Sequence, residues 1–421
     1  MTEEFIRSIK GTQDILPSQS HRWQLLEAAI HNTMDTYGYS EIRTPAFERT
    51  ELFSRGVGEE TDIVSKEMYS WTDQGGENLT LKPELTAPVV RSFIQHNLGG
   101  QRPINKLYYI DALFRRERPQ KGRYRQFHQF GIEAFGSEHP EIDAEVIALA
   151  MSVFNDIGLT GLTLKLNSIG SPECRSDYRN ALRDFLKPHF NDLSETSQRR
   201  FENNPMRILD TKIPHEIKIL KEAPNISDSL TAEDKAHFEE VCSLLDAMGI
   251  QYLIESNLVR GLDYYTRTTF EITSTELGAQ DAICGGGRYD GLVKTLGGKP
   301  TPGIGFAAGM ERILLALGDD DLSGKTTQVY IVGLGDGVRT TVAKLVEDLR
   351  QNNVRTNFDP LRRSMKAQMR EANKCGATIA IIIGDKELVT GRGEVKDLSS
   401  GVQTKIDIKS LVDHINTLHL K

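Results

Sequence analysis

The chain is poor in cysteine. Its four, Cys174, Cys242, Cys284 and Cys375, lie far apart and form no C-x-x-C pair. That argues against a zinc site and a disulfide framework, and it fits a reducing cytosol. No apolar run is long enough to span a membrane, and residues 1–11 lack the apolar core of a secretion signal. A cytoplasmic protein with no membrane association is therefore expected. Positive charge is not in excess either. The 51 Lys and Arg against 59 Asp and Glu leave a net charge of -8, which argues against a protein that coats nucleic acid by bulk attraction. Patterns for covalent or metal-centred catalysis are missing: there is no H-E-x-x-H, no Ser-His-Asp spacing and no Cys-His nucleophile pattern.

What is there is a soluble globular composition, 38% hydrophobic and 26% charged over 421 residues. That length suggests two or three domains with ample core. The charge is unevenly spread. Residues 325–421 hold 16 Lys and Arg against 11 Asp and Glu, a surplus of 5, and the remainder is acidic by 13. An acidic body with a basic C-terminal module suggests that the module meets a polyanion.

Periodicity divides the chain. Trp23, Leu26, Ile30, Met34 and Tyr37 form one stripe of a helix that Ser18 or Ser20 can cap and Gly38 stops. Strands over 39–43 and 78–83, a helix through Ile94, a helix over 141–157 and a strand over 162–167 follow. Ser171, Pro172 and Glu173 supply a helix cap, a first-turn proline and an acidic first turn. From there to about Gly249 the pattern is helical and charged, and reads as a helical insertion. Strand texture resumes over 252–255 and 264–273. It continues through Gly285, Gly286 and Gly287 and through 303–309, ahead of a helix over 310–317 and a polar linker. Residues 325–421 then alternate strand and helix as a small α/β sheet does. The expected division is 1–170 and 250–318 for one body, 171–249 for the insertion and 325–421 for the terminal module.

The stretch 113–135 organises the body. Two strand-like runs, 106–114 and 126–135, flank a loop dense in Arg and Lys that carries Pro119 and Gly122, the pattern of a hairpin with a long tip. On the second strand Phe130, Ile132 and Ala134 share a core face. Gln129, Gly131 and Glu133 share the other, a polar floor with a glycine at its centre that lets something approach the backbone. Cations at the tip suit phosphate, because guanidinium forks hold phosphate oxygens bidentately. A second constellation is Arg260, Gly261, Asp263, Tyr264 and Tyr265. A third is Met310, Glu311 and Arg312 at a helix start. Cations, carboxylates and amides are equipment for positioning and charge stabilisation, as in attack on a phosphoryl group.

Two phosphate-loop lookalikes fail on context. The stretch from Gly318 to Gly324, Lys325 and Thr326 has one residue too many for G-x-x-x-x-G-K-[ST], contains three aspartates and runs into a strand. Gly303-x-Gly305-x-x-Ala308 follows Lys299-Pro300-Thr301-Pro302, which is no strand, so no βαβ unit surrounds it.

Taken together the motifs are recognisable. The hairpin, entered by Phe114-Arg115-Arg116-Glu117, resembles motif 2 of class II aminoacyl-tRNA synthetases. Residues 303–312 resemble motif 3, and residues 39–45 after a long helix resemble motif 1. More narrowly, the loop 118–129, residues 258–265, the run Lys10 to Asp14 and Gly286-Gly287-Arg288-Tyr289-Asp290 resemble the histidyl-tRNA synthetase family. The class I signatures, His-x-Gly-His and Lys-Met-Ser-Lys-Ser, are absent.

The resemblance implies an α+β fold: a class II synthetase antiparallel sheet with flanking helices, a helical insertion and a C-terminal α/β anticodon-binding domain. It also implies a homodimer, with ATP, L-histidine and the histidine tRNA as partners and Mg2+ accompanying ATP. By motif, Arg115 would hold the α-phosphate and Arg312 the γ-phosphate end of a bent ATP. Phe127 would stack on adenine, with Glu117 and Arg123 also on the ATP side. Glu84, Thr86 and Gln129 would take the α-amino group. Glu133, Tyr264 and Tyr289 would read the imidazole, with Tyr265 also on the histidine side. Arg260 would sit at the carboxylate and α-phosphate, and Arg118 at the tRNA acceptor end. Between Glu84 and Thr86 this chain has Leu85 where the family often has glycine; both contact residues remain. The rival expectation is a synthetase-like regulatory subunit that binds histidine without aminoacylating anything.

Overall fold

The computed structural model describes residues 5–59, 61–120, 122–259, 261–278, 281–318 and 328–418. Two compact units result, divided between Asp320 and Asp321.

Among the described residues, the first unit is built on a sheet of eight strands: β1 (Ser40–Glu41), β2 (Asn105–Phe114), β3 (Gln126–Phe135), β4 (Leu162–Ser168), β5 (Leu253–Ile254), β6 (Thr266–Ser274), β7 (Ala282–Arg288) and β8 (Gly303–Gly309). In space the order is β1-β2-β3-β8-β7-β6-β4-β5. The six central strands are antiparallel, and the two-residue edge strands β1 and β5 pair in parallel. The hairpin forms as its alternation predicts, ten residues against ten, with Gly131 opposite Tyr109 and Glu133 opposite Leu107.

The two faces of this sheet differ because the strands alternate. Phe130, Ile132 and Ala134 on β3 and Ile304, Phe306 and Ala308 on β8 are buried in one core with Trp23, Leu26, Ile30 and Met34 of the helix Pro17–Tyr37. The helix Pro140–Asp156 covers the same face through Ile147, Val153 and Phe154. The other face of β8 presents Gly305 and Ala307, paired with Gly287 and Gly285 of β7. A floor paved with such small residues leaves room above it. The helix Thr86–Gln95 walls one end, packing Leu85, Val89 and Phe93 against Tyr109, Phe135 and Tyr289.

The helix Pro17–Tyr37 starts two residues earlier than a Ser18 cap, and four earlier than a Ser20 cap, would place it. Leu16 is the cap residue, with no side-chain hydrogen bond, and Pro17 supplies the preset first turn. The strand expected over 39–43 shrinks to the two residues of β1, registered with Leu107 and Tyr108 of β2, and the Ile42 N–H adds one further bond to the Tyr108 carbonyl at 2.8 Å. Helical structure fills much of the span from Pro172–Leu186 to Ala232–Ala247, between β4 and β5, and those two strands pair with each other.

The second unit has a five-stranded sheet in the order β10-β9-β11-β12-β13, from β9 (Val329–Leu334), β10 (Thr356–Phe358), β11 (Ile379–Gly384), β12 (Arg392–Asp397) and β13 (Gln403–Asp407). β9, β10 and β11 are parallel and the last two antiparallel. β11, buried on both faces, is an unbroken apolar run as a central parallel strand should be. The helix Arg339–Gln351 packs into one core and Met365–Lys374 against the other. β13 was not legible: Gln403, Thr404 and Lys405 are exposed edge residues with no apolar period.

Candidate active site

A cleft opens over the small-residue floor of the large sheet. It has two adjoining chambers of about 400 and 200 Å3 that share Arg115, Glu117, Arg123, Gln129, Gly285 and Ala307. The larger is also lined by Glu84, Thr86, Tyr109, Tyr264, Tyr265 and Tyr289. The smaller is also lined by Phe127 and Arg312. The fold thus divides the residues proposed from the sequence into a group with carboxylates and phenols and a group with arginines and one aromatic ring.

Glu133 lies at the bottom of the first group, 1% exposed. Three hydroxyls converge on its carboxylate. Thr86 Oγ1 donates to Oε1 at 2.8 Å, the Tyr109 hydroxyl donates to Oε1 at 3.2 Å, and the Tyr289 hydroxyl donates to Oε2. Burial raises the Glu133 pKa to about 8, opposed by the hydroxyls of Tyr289 and Thr86. The phenols of Tyr109 and Tyr289 are pushed well above the ordinary tyrosine range, first by burial and then by Glu133. Tyr264 is pushed up likewise by burial and by Tyr265. All three therefore stay protonated and act as donors at neutral pH.

Glu84 is organised differently. Its Oε2 accepts the Thr86 backbone N–H at 2.8 Å and its Oε1 that of Ala87 at 3.0 Å, so the carboxylate closes the N-terminus of the helix Thr86–Gln95. Burial raises its pKa to about 7 despite these N–H groups and Arg115. This helix therefore fixes both Glu84 and Thr86.

On the other side Arg115 donates through Nε to the Pro83 carbonyl at 2.8 Å, which leaves the rest of its fork directed elsewhere. Its guanidinium carbon lies 5.2 Å from the centre of the Phe127 ring. Glu117 lies 3.7 Å from Arg115 and 3.4 Å from Arg123. Burial and the nearby Arg123 lower the pKa of Arg312, the signature of a cation in a place that favours an anion. Glu311, beside it, accepts the His128 backbone N–H at 3.0 Å and pairs with His128 Nδ1 at 2.9 Å. The helix Met310–Ala316 is thereby tied to the hairpin strand between Phe127 and Gln129.

Arg118 is exposed and lines neither chamber. Arg260 lies outside the described residues. Two groups escaped the sequence reading. Tyr109 occupies the space over Gly131: a Cβ there would meet its hydroxyl oxygen 2.5 Å away. The position opposite Gly131 in the hairpin register was the signal for it. Arg200 and Arg207 also line the cleft, from the helix Glu195–Asn203 and the turn Pro205–Asp210. No local pattern marks them, because only the fold carries that segment to the site.

The arrangement suits a small zwitterion with a polar ring in one chamber and a polyphosphate beside it. Cations and amides would stabilise charge during transfer between the two.

Comparisons with known proteins find relatives over nearly the whole chain. The family model for histidyl-tRNA synthetase matches residues 11–313, and that for an anticodon binding domain matches residues 328–418. A histidine–tRNA ligase of Moorella thermoacetica is 49% identical, covering 96% of this chain and 96% of that protein. One from Desulforamulus reducens is 48% identical over 96% and 97%. The crystal structure of apo S. aureus histidyl-tRNA synthetase superposes with a TM-score of 0.83 at 40% identity, covering 98% of this chain and 100% of that one.

Proposed function

The chain belongs to the histidyl-tRNA synthetase family, and on that premise we propose how its cleft carries out the reaction. The protein is a histidine–tRNA ligase. It activates L-histidine with ATP to histidyl-adenylate, releasing diphosphate. It then passes histidine to the 3' end of its tRNA, releasing AMP.

The observation that carries the site assignment is the buried Glu133 carboxylate under the hydroxyls of Thr86, Tyr109 and Tyr289. An imidazole lying against Glu133 and Tyr264 satisfies both ring nitrogens. An amino acid without those nitrogens leaves buried polar atoms unpaired, which discriminates by roughly 10⁴–10⁵. Glu84, Thr86 and Gln129 take the α-amino group, with Tyr265 and Tyr289 completing the histidine chamber. Arg115 holds the α-phosphate, Arg312 the γ-phosphate end of ATP, and Phe127 stacks on adenine, with Glu117 and Arg123 beside them. Arg260 serves the substrate carboxylate and the α-phosphate. Arg118, exposed on the hairpin tip, meets the acceptor end of tRNA.

No protein base is needed for activation, because the histidine carboxylate is already ionised. It attacks the α-phosphorus in line, and diphosphate leaves from the opposite side. Arg115, Arg260 and Arg312 stabilise the charge that spreads over the phosphate oxygens. Among the described residues no group of three or more His, Cys, Asp or Glu side chains forms a metal cage. Mg2+ brought in by ATP binds through substrate phosphates and one or two carboxylates. Glu67 and Glu117, both lining the cleft, would hold it. Bound there, the ion supplies charge neutralisation across the phosphates.

The domain division is 1–170 and 250–318 for the catalytic body, 171–249 for the helical insertion and 325–421 for the anticodon-binding domain. The family membership supports a homodimer that works in the cytoplasm. A histidine-binding regulatory subunit is not favoured. This chain carries the anticodon-binding match, and Arg115 and Arg312 both line the cleft. Histidine-dependent ATP–diphosphate exchange, followed by charging of histidine tRNA, tests the reading. Histidine binding without exchange would overturn it.

A further inference from the structure

The segment that carries Tyr264 and Tyr265 has no strand or helix of its own between Leu258 and Tyr265 among the described residues. No ladder of backbone bonds fixes its shape. Around residues 261–265 most of its hydrogen bonds come from side chains of the helical segment. Asn204 Nδ2 donates to Asp263 Oδ1 at 2.9 Å. Arg207 Nε lies 3.7 Å from the same oxygen, and its Nη2 donates to the Gly261 carbonyl. Arg175, on the helix Pro172–Leu186, donates through Nη1 to the carbonyls of Asp263 at 3.3 Å and Tyr265 at 2.6 Å. The main body adds Asn167 Nδ2, which donates to the Leu258 carbonyl at 3.0 Å, the Tyr289 ring 5.7 Å from that of Tyr264, and a long bond from the Asp263 N–H to the Val57 carbonyl at 3.4 Å. Neither Asn204 nor Asp263 lines the substrate chambers.

We propose that Asn204 and Asp263 form a positioning clamp through which the helical segment sets the histidine-reading wall of the cleft. Histidine affinity then depends on where that segment sits, while the adenine and γ-phosphate ends of ATP, held by the hairpin and the helix Met310–Ala316, are independent of it and only the α-phosphate contact assigned to Arg260 moves with it. The inference rests on the assignment of Tyr264 to the imidazole. Asp263 is the hub because one carboxylate oxygen meets both an amide donor and a guanidinium, while its own backbone is held by Arg175. Loss of the amide donor releases the segment without emptying the chamber.

The test is ATP–diphosphate exchange with Asn204→Ala, Asp263→Asn and the double variant, with melting temperature measured alongside. Hydrogen bonds to charged groups are strong enough for a rise in histidine KM of roughly tenfold or more in each single variant. ATP KM should rise several-fold less than histidine KM, and the double variant should be no worse than the poorer single one, because the two residues act as one unit. An unchanged histidine KM overturns the clamp. So does a parallel rise in both KM values with a fall in melting temperature, or strict additivity in the double variant. Tyr264→Phe separates the two levels. If it leaves histidine KM unchanged, the imidazole assignment falls and the clamp with it. If it raises histidine KM and the clamp variants do not, the clamp alone falls.

Discussion

Gly305 lies directly beneath Glu133. The two are partners across the β3–β8 ladder, and a Cβ on Gly305 would collide with the Glu133 carboxylate and the Ile132 carbonyl. The glycine of motif 3 is therefore what lets a carboxylate of motif 2 fold flat over the sheet and receive three hydroxyls. Gly305→Ala should displace Glu133 and overpack a tight floor at a cost of about 1–3 kcal/mol. Histidine KM should rise far more than ATP KM. Exchange kinetics together with urea unfolding check both parts.

Arg115→Ala and Arg312→Ala should slow adenylate formation by about 10²–10³, the usual loss for one donor aimed at developing charge. The same holds for Arg260→Ala if it serves the α-phosphate. Single-turnover formation of histidyl-adenylate reads the step directly, and a near-normal rate in any of the three would remove that residue from the catalytic set.

Glu133 makes the ligand-free protein sensitive to pH. Its pKa is raised to about 8 in the fold against 4.5 for the free carboxyl, so between these values the folded state holds a proton that the unfolded chain has lost. The stabilisation is complete below about pH 4.5 and is lost as pH rises through about 8. Glu84, raised to about 7, acts in the same direction. Glu133→Gln removes one such proton. Its stability should fall less steeply between pH 5 and 8, by up to about 1.4 kcal/mol per pH unit. Urea denaturation at several pH values measures the slope, and an unchanged slope would contradict the assignment.

Glu311→Ala cuts the tie from the helix Met310–Ala316 to His128, which sits between Phe127 and Gln129. ATP KM should rise about tenfold or more through loss of charge-assisted bonds, and histidine KM less. Exchange measured with each substrate varied in turn shows the difference.

Removal of residues 325–421 takes away the matched anticodon-binding domain, which belongs to a unit with a core of its own. Diphosphate exchange should persist while tRNA charging falls steeply. Equal loss of both would mean that the catalytic body depends on the second unit.

Sequence alone fixed what depends on local period and on short motifs. The hairpin, the stripe of the first helix and the strand over 303–309 are written in neighbouring residues, while the grouping of Glu84, Arg115, Gln129 and Arg312 came from the resemblance to the synthetase family. Strand alternation even placed Gln129 and Glu133 on one face. Only the tertiary structure decided what stands over that face. Tyr109 fills the space above Gly131, and Glu84 spends both oxygens on a helix terminus. Arg207 and Asn204 reach residues 261–263 from a helical segment more than fifty residues away in the chain. Those contacts join segments with no shared period, and their partners become neighbours only when β4 and β5 pair and bring the two ends of that helical segment together.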